Sequence, residues 1–336
     1  MRRLLLIMAL VAAGLPVTGC GGGGDGGGDA LQNVPETGGL REQLRGAEAP
    51  AKADFPATDG RTLQQVADSM TGGPEVGLAG RQFTVGRNRL AFGVIDRAGA
   101  FVYGKTAVYV ARTPDSKARG PYPAPADLLV TDPPYRSRQA AAETDLFAAI
   151  YAADVPFGKP GTWSVLTVTE SGDGLVAAAA QVEVDTAAAD EIPAVGEPAP
   201  KVRTDTLASA KGDEQAIDTR LPPAPELHET SFDEVVGSKP VALLFATPQL
   251  CQSRVCGPVT DIALQLEASY GDRMEFIHQE VYVDNDPSEG LREPLRRFNL
   301  ESEPWLFVVG ADGKVTARLE GSFGLKAFDR AINTAL

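Results

Sequence analysis

The sequence predicts a chain of two structured parts: an all-β sandwich, followed by an α/β domain whose mixed sheet is flanked by helices. Three observations carry that prediction. The chain has 336 residues, more than the roughly 100 to 200 of an ordinary single domain. Between about Phe55 and Asp185 apolar residues recur at every second position, the period of a strand. After Leu227 short apolar runs alternate with segments of helical spacing, the pattern of a sheet covered by helices.

At the start, Arg2 and Arg3 precede an apolar run from Leu4 to Leu15. That run is too short to be a permanent membrane span and suits the central region of a secretory signal, so residues 1–19 read as an export signal. Residues 20–50 are dominated by Gly, Asp, Ala, Glu and Pro and read as a flexible tether. The glycine run after residue 20 is no phosphate cradle, because no strand precedes it and no Lys-Ser/Thr follows.

Residues 51–185 carry the sandwich. Leu90, Phe92 and Val94 alternate with Ala91, Gly93 and Ile95, and a turn at Asp96 to Gly99 leads toward Val108 and Val110. Further strands are expected at Ala148 to Val155, Trp163 to Thr169 and Val176 to Val184, with Trp163 pointing into the core. The Pro-rich stretch from Thr113 to Glu143 reads as a long connection, the kind of segment that often carries binding. Residues 186–227, rich in Ala, Pro, Glu and Asp, read as a linker and the start of the C-terminal domain.

Residues 228–336 give the α/β domain. Strand Val241 to Phe245 leads to a helix with Val259, Ile262, Ala263, Leu266 and Tyr270 on one face, then to a strand from Met274 to Val283. A helical segment around Leu295, strands Trp305 to Val309 and Val315 to Leu319, and a last helix with Leu325, Phe328 and Ile332 complete the order.

Charge and thiols narrow the function. With 45 acidic against 31 basic residues the formal charge is -14, which argues against nucleic acid as a partner and against a basic membrane-binding face. Cys251 and Cys256 lie at the first strand-to-helix junction of the C-terminal domain, and Pro258 suits the first helical position. Cys256 is therefore expected beside the helix N-terminus, where the dipole favours a thiolate, as the attacking thiol; Cys251 would resolve the mixed disulfide. Arg254 between them reads as an exposed loop residue. A permanent structural disulfide, with the sandwich doing the recognition, is the alternative in an exported chain.

Several motifs resemble known families. Val17-Thr18-Gly19-Cys20 resembles the lipobox of bacterial lipoproteins, which implies cleavage before Cys20, acylation of its sulfur, and a protein anchored to the cell membrane outside the cytoplasm. Pro156-Phe-Gly-Lys-Pro-Gly-Thr-Trp163 resembles the closing hairpin of immunoglobulin-like bacterial modules. Val195-Gly-Glu-Pro-Ala-Pro200, Phe245-Ala-Thr, Cys256-Gly257-Pro258 and Pro304 before the strand at Trp305 resemble the thioredoxin superfamily. That resemblance implies a cis-proline at Pro304, Glu303 beside the site, no cofactor, and exported protein thiols or a redox protein as partners. The departures are Val259 in place of the second motif cysteine, Val255 in place of tryptophan, and Leu244 in place of a buried acid. Copper proteins of the Sco type share the fold, so Cys251, Cys256 and His278 form an alternative metal set; His228 has no visible partner.

Overall fold

A computed structural model describes residues 30–141, 147–172, 174–251 and 255–336. The signal segment, Cys20 and Arg254 lie outside the described residues. Among the described residues no helix is long and apolar enough to cross a membrane.

Helices α1 (Leu40–Ala47) and α2 (Leu63–Ala67) precede strands β1 (Thr71–Gly72), β2 (Glu75–Leu78), β3 (Gly86–Ile95), β4 (Thr106–Ala111), β5 (Arg119–Pro123) and β6 (Ala126–Leu128). Helix α3 (Arg138–Ala141) is followed by β7 (Ala149–Phe157), β8 (Gly161–Ser171) and β9 (Gly174–Val184). They form one sheet ordered β1-β9-β8-β4-β5 and another ordered β2-β3-β7-β6. Leu90, Phe92 and Val94 of the second sheet share one buried core with Val108, Trp163 and Val182 of the first. The alternation read from the sequence thus turns one face of each sheet toward the other. Trp163 is 4% exposed, packs on Phe157 at 5.3 Å between centroids, and donates its indole N–H to the Lys159 carbonyl at 2.9 Å.

Two expectations fail here. Residues 30–50 are not a tether: Leu31, Val34, Leu44 and Ala47 are buried in the same core, so α1 is a packed helix of the N-terminal body. The Pro-rich stretch is not a plain connection either, since it contains β5 and β6. Both lie at sheet edges, where a residue without an N–H leaves no ladder bond broken.

The C-terminal part consists of α4 (Phe232–Val235), β10 (Val241–Phe245), α5 (Cys256–Tyr270), β11 (Glu275–Gln279), α6 (Glu293–Arg297), β12 (Trp305–Val309), β13 (Val315–Glu320) and α7 (Leu325–Ile332). The sheet order is β11-β10-β12-β13; β10 runs parallel to β11 and antiparallel to β12. Strand β10 is apolar throughout because both its faces are covered. Ala242 and Leu244 meet Val259, Ile262 and Phe328 of α5 and α7, while Val241, Leu243 and Phe245 meet Phe232, Leu295 and Phe298 on the other side. The expected strand from Met274 to Val283 is shorter, ending at Gln279; the next residue, Glu280, turns to accept the Thr219 N–H and hydroxyl at 2.8 and 2.6 Å.

The segment 186–227, read as a linker and the start of the C-terminal domain, is folded onto this sheet. Gly196 and Ala199 donate to the carbonyls of Val315 and Gly313, and Asp218, Arg220, Ala224 and Leu227 are each at most 2% exposed. It forms a strap across the C-terminal body.

The two parts share a core, for Ala91, Leu129, Phe147 and Ile150 pack with residues of α5 and α7. Asp127 of β6 accepts from the backbone N–H groups of Gly324, Lys326 and Ala327 at 3.1, 2.9 and 2.9 Å, capping α7 from the other body. Gly321 has φ +70, and a Cβ there would lie 1.4 Å from the Ala79 carbonyl oxygen, so only glycine allows this approach. Asp127→Ala is expected to cost about 1–2 kcal/mol by loss of the cap, read as a lower urea midpoint; an unchanged midpoint would show that the cap is idle.

Candidate functional site

Beyond β10 the backbone N–H of Cys251 donates to the Thr247 carbonyl at 3.1 Å, and α5 begins at Cys256. The helix starts two residues earlier than Pro258 suggests, but Pro258 still falls among the first-turn positions whose N–H groups lack helical partners. Both cysteines are free thiols; Cys251 is half-buried and Cys256 is fully buried. Cys251 and the Thr247 backbone N–H both lie near enough to bear on the Cys256 thiol. The peptide bond before Pro304 is cis, and half-buried Glu303 precedes it beside the thiols. The structure therefore gathers Cys251, Cys256, Glu303 and Pro304 in one place.

The electrostatics reverse one expectation. Burial, then the neighbouring Cys251 and Glu303, push the Cys256 thiol well above its ordinary value, and the Thr247 N–H only partly offsets them. A position at a helix start does not produce a thiolate when the sulfur is shut off from water and faces groups that turn negative. Glu303 is itself held above the usual carboxylate range, first by burial and then by Cys251, with Arg81 pulling the other way. Glu303 thus opposes thiolate formation at Cys256 through like charge. Tyr282 is raised as well, by burial and then by Glu303 and both thiols.

A cavity of about 420 Å³ opens beside this group. Val255, Tyr282 and Glu303 form its wall on the C-terminal side; Leu78, Arg81 and Phe101 form the wall from the N-terminal body. Arg81 and Gln82 hold that lip in place by donating their backbone N–H groups to Glu320, both at 2.9 Å. Sequence reasoning missed these N-terminal residues, and no local signal in residues 77–82 marks them.

His278 does not join the cysteines. Among the described residues, the donors that gather within ligand range are Asp218, His228 and His278, so the Cys251, Cys256 and His278 set is not formed. The reason is the register of β11: His278 pairs with Leu244, its Nε2 lies 3.0 Å from the Ala246 carbonyl, and its Nδ1 lies 3.3 Å from His228 Nε2. Burial lowers the His278 basicity. Asp218 was missed because it falls in the strap, whose composition reads as a linker.

No family model matches the chain, and no curated protein matches it. Among solved structures, a protein assigned as thiol:disulfide interchange protein DsbE from Chlorobium tepidum is 17% identical, with 43% of this chain and 98% of that one covered and a TM-score of 0.29. A thioredoxin family thiol:disulfide interchange protein from Chlorobium tepidum TLS is 18% identical over 41% of this chain and 94% of that one, with a TM-score of 0.27. The PKD domain of an M14-like peptidase from a Thermoplasmatales archaeon is 13% identical over 34% of this chain and 95% of that one, with a TM-score of 0.18. The C-terminal region is thioredoxin-like on its own geometry: a parallel β10-α5-β11 unit, antiparallel β12 and β13, thiols where α5 begins, and a cis-proline before β12.

Proposed function

We propose that the chain is a thiol–disulfide oxidoreductase acting outside the cytoplasm on exported protein thiols, tethered to the membrane by lipid on Cys20. The N-terminal sheets serve as an immunoglobulin-like module that frames the site. The observation that carries the reading is that Cys251 and Glu303 both bear on the buried Cys256 thiol at the start of α5, next to a cavity walled by both bodies. Because Cys251 is the more exposed thiol, it takes the entering role and Cys256 the resolving one, the reverse of the order drawn from the helix dipole. The Cys251 thiolate attacks a client disulfide, forming a mixed disulfide and releasing one client thiolate. Cys256, on losing its proton, attacks the Cys251 sulfur, closing the internal bond and releasing the second client thiolate. Two electrons pass from the dithiol to the client, and the reverse sequence oxidises a client dithiol.

Full burial of Cys256 also favours a second reading, in which the pair is a permanent bridge in a binding protein. Equilibration of the purified protein in glutathione buffers, with free thiols counted by mass after alkylation, separates the two. A cycling pair is expected between about -120 and -270 mV, and a potential below about -300 mV would establish the bridge instead.

A further inference from the structure

The chain contains two histidines in all, and the fold brings both together with one carboxylate beneath the strap. His228 ends the 3-10 turn Pro225–His228, His278 lies in β11, and Asp218 comes from the strap itself. All three are essentially without solvent contact, at 1%, 0% and 1% exposed. Two imidazoles and a carboxylate buried at one point are costly unless they are bonded to one another or to something between them.

The spacing distinguishes those cases. His228 Nε2 lies 3.5 Å from Asp218 Oδ2, His278 Nδ1 lies 3.7 Å from Asp218 Oδ1, and the two ring nitrogens are 3.3 Å apart. Direct hydrogen bonds between such groups run at about 2.7–3.2 Å. Donors placed around a tetrahedral ion at about 2.0–2.1 Å are instead separated by about 3.3–3.5 Å. All three separations are longer than direct hydrogen bonds, and with each imidazole facing its own Asp218 oxygen they leave room for an ion between the two rings and the carboxylate.

The surroundings hold two of the three donors in place. The Ala246 carbonyl, 3.0 Å from His278 Nε2, holds a proton there and leaves the Nδ1 lone pair facing the cluster. Backbone N–H groups of Arg220 and Ala224 hold the two Asp218 oxygens at 2.8 Å each, fixing the carboxylate. His228 Nδ1 is buried and makes no hydrogen bond, so the polar contacts of this ring are the ones its Nε2 makes within the cluster.

We propose that Asp218, His228 and His278 form a buried structural site for a divalent d-block ion of the zinc class. Two imidazoles and one carboxylate make the donor set that suits Zn²⁺ or Co²⁺, with water at the fourth corner. The ion fastens the strap to β11, and its binding free energy is part of the folding free energy. The site is separate from the thiols and does not depend on their redox role.

The test uses the full chain produced with Zn²⁺ or with Co²⁺ as the only added transition metal. After dialysis, close to one ion per chain is expected by mass spectrometry, with a visible Co²⁺ spectrum of tetrahedral type lacking sulfur-to-cobalt charge transfer. Cys251→Ser/Cys256→Ser should keep the ion, whereas Asp218→Asn and His278→Gln should lose it. Removing the ion from the unmutated protein should lower its thermal midpoint, and returning Zn²⁺ should restore it, a readout independent of whether the variants fold. Absence of a retained ion, sulfur-to-cobalt bands, or retention unchanged in Asp218→Asn and His278→Gln would each overturn the site.

Discussion

Replacing Arg220 by Met is expected to remove about 3–5 kcal/mol of folding free energy, seen as a lower guanidinium midpoint with little change in slope. Arg220 is 2% exposed and Asp261 of α5 is 1% exposed. The guanidinium donates Nε to Asp261 Oδ1 at 2.8 Å, and its other nitrogens to the carbonyls of Pro222 and Tyr135 at 2.6 and 2.7 Å. The second Asp261 oxygen accepts from the Ser137 N–H and hydroxyl at 2.8 and 3.0 Å. One side chain thus ties the strap, the loop before α3 and α5 together; deleting it leaves a buried carboxylate with no counter-charge. Even with Arg220 present, burial holds Asp261 above the usual carboxylate range, and Arg220 and Ser137 only partly offset it. A carboxyl raised in the folded state favours folding most below its unfolded value and less as pH rises through the folded one. Loss of Arg220 raises it further, so the deficit of Arg220→Met should shrink as pH falls toward that of an unfolded aspartate. A deficit that grew on acidification would refute the assignment, and so would a midpoint equal to that of the unmutated protein.

The second large effect is expected at the thiols. Cys256→Ser should stop two-electron exchange and accumulate mixed disulfides on Cys251, visible as bands that vanish on reduction in non-reducing gels of cells producing the variant. Cys251→Ser should leave Cys256 unable to engage clients, because its sulfur is fully buried and its proton is held tightly. Both variants lose turnover, but only one traps partners. Trapping by Cys251→Ser alone would restore the opposite order of attack.

Local pattern made the frame of both bodies readable. The run Val241 to Phe245 is buried on both faces and is apolar at every position, whereas the end of β9 alternates, with Val182 and Val184 buried and Gln181 and Glu183 exposed. Cys256-Gly257-Pro258 marked the site because a helix start leaves a short sequence signature, whereas Pro304 is expected there only from the resemblance to the thioredoxin superfamily. What stayed hidden depends on distant partners. Leu31, Val34 and Leu44 are few among glycines, so composition dilutes a helix that tertiary burial makes stable. The strap lacks a period because its polar residues answer to single groups elsewhere: Asp218 to two histidines, Arg220 to Asp261, Thr219 to Glu280. The basicity of the Cys256 sulfur depends on how deeply Val255 and Cys256 are enclosed, and no residue within the motif encodes that depth.

The cap on α7 also decides what kind of unit this chain is. Asp127 precedes Ala327, which it holds, by 200 residues. During synthesis the carboxylate and its sheet are complete well before the helix they receive leaves the ribosome, so the thioredoxin-like body finishes on a surface already in place. Transplanted alone into another host, that body would arrive with an open helix end and an uncovered apolar flank where Ile150 and Leu129 now sit. The C-terminal body is thus no exchangeable cassette, and the cavity beside its thiols keeps its walls only while both halves of the chain are present.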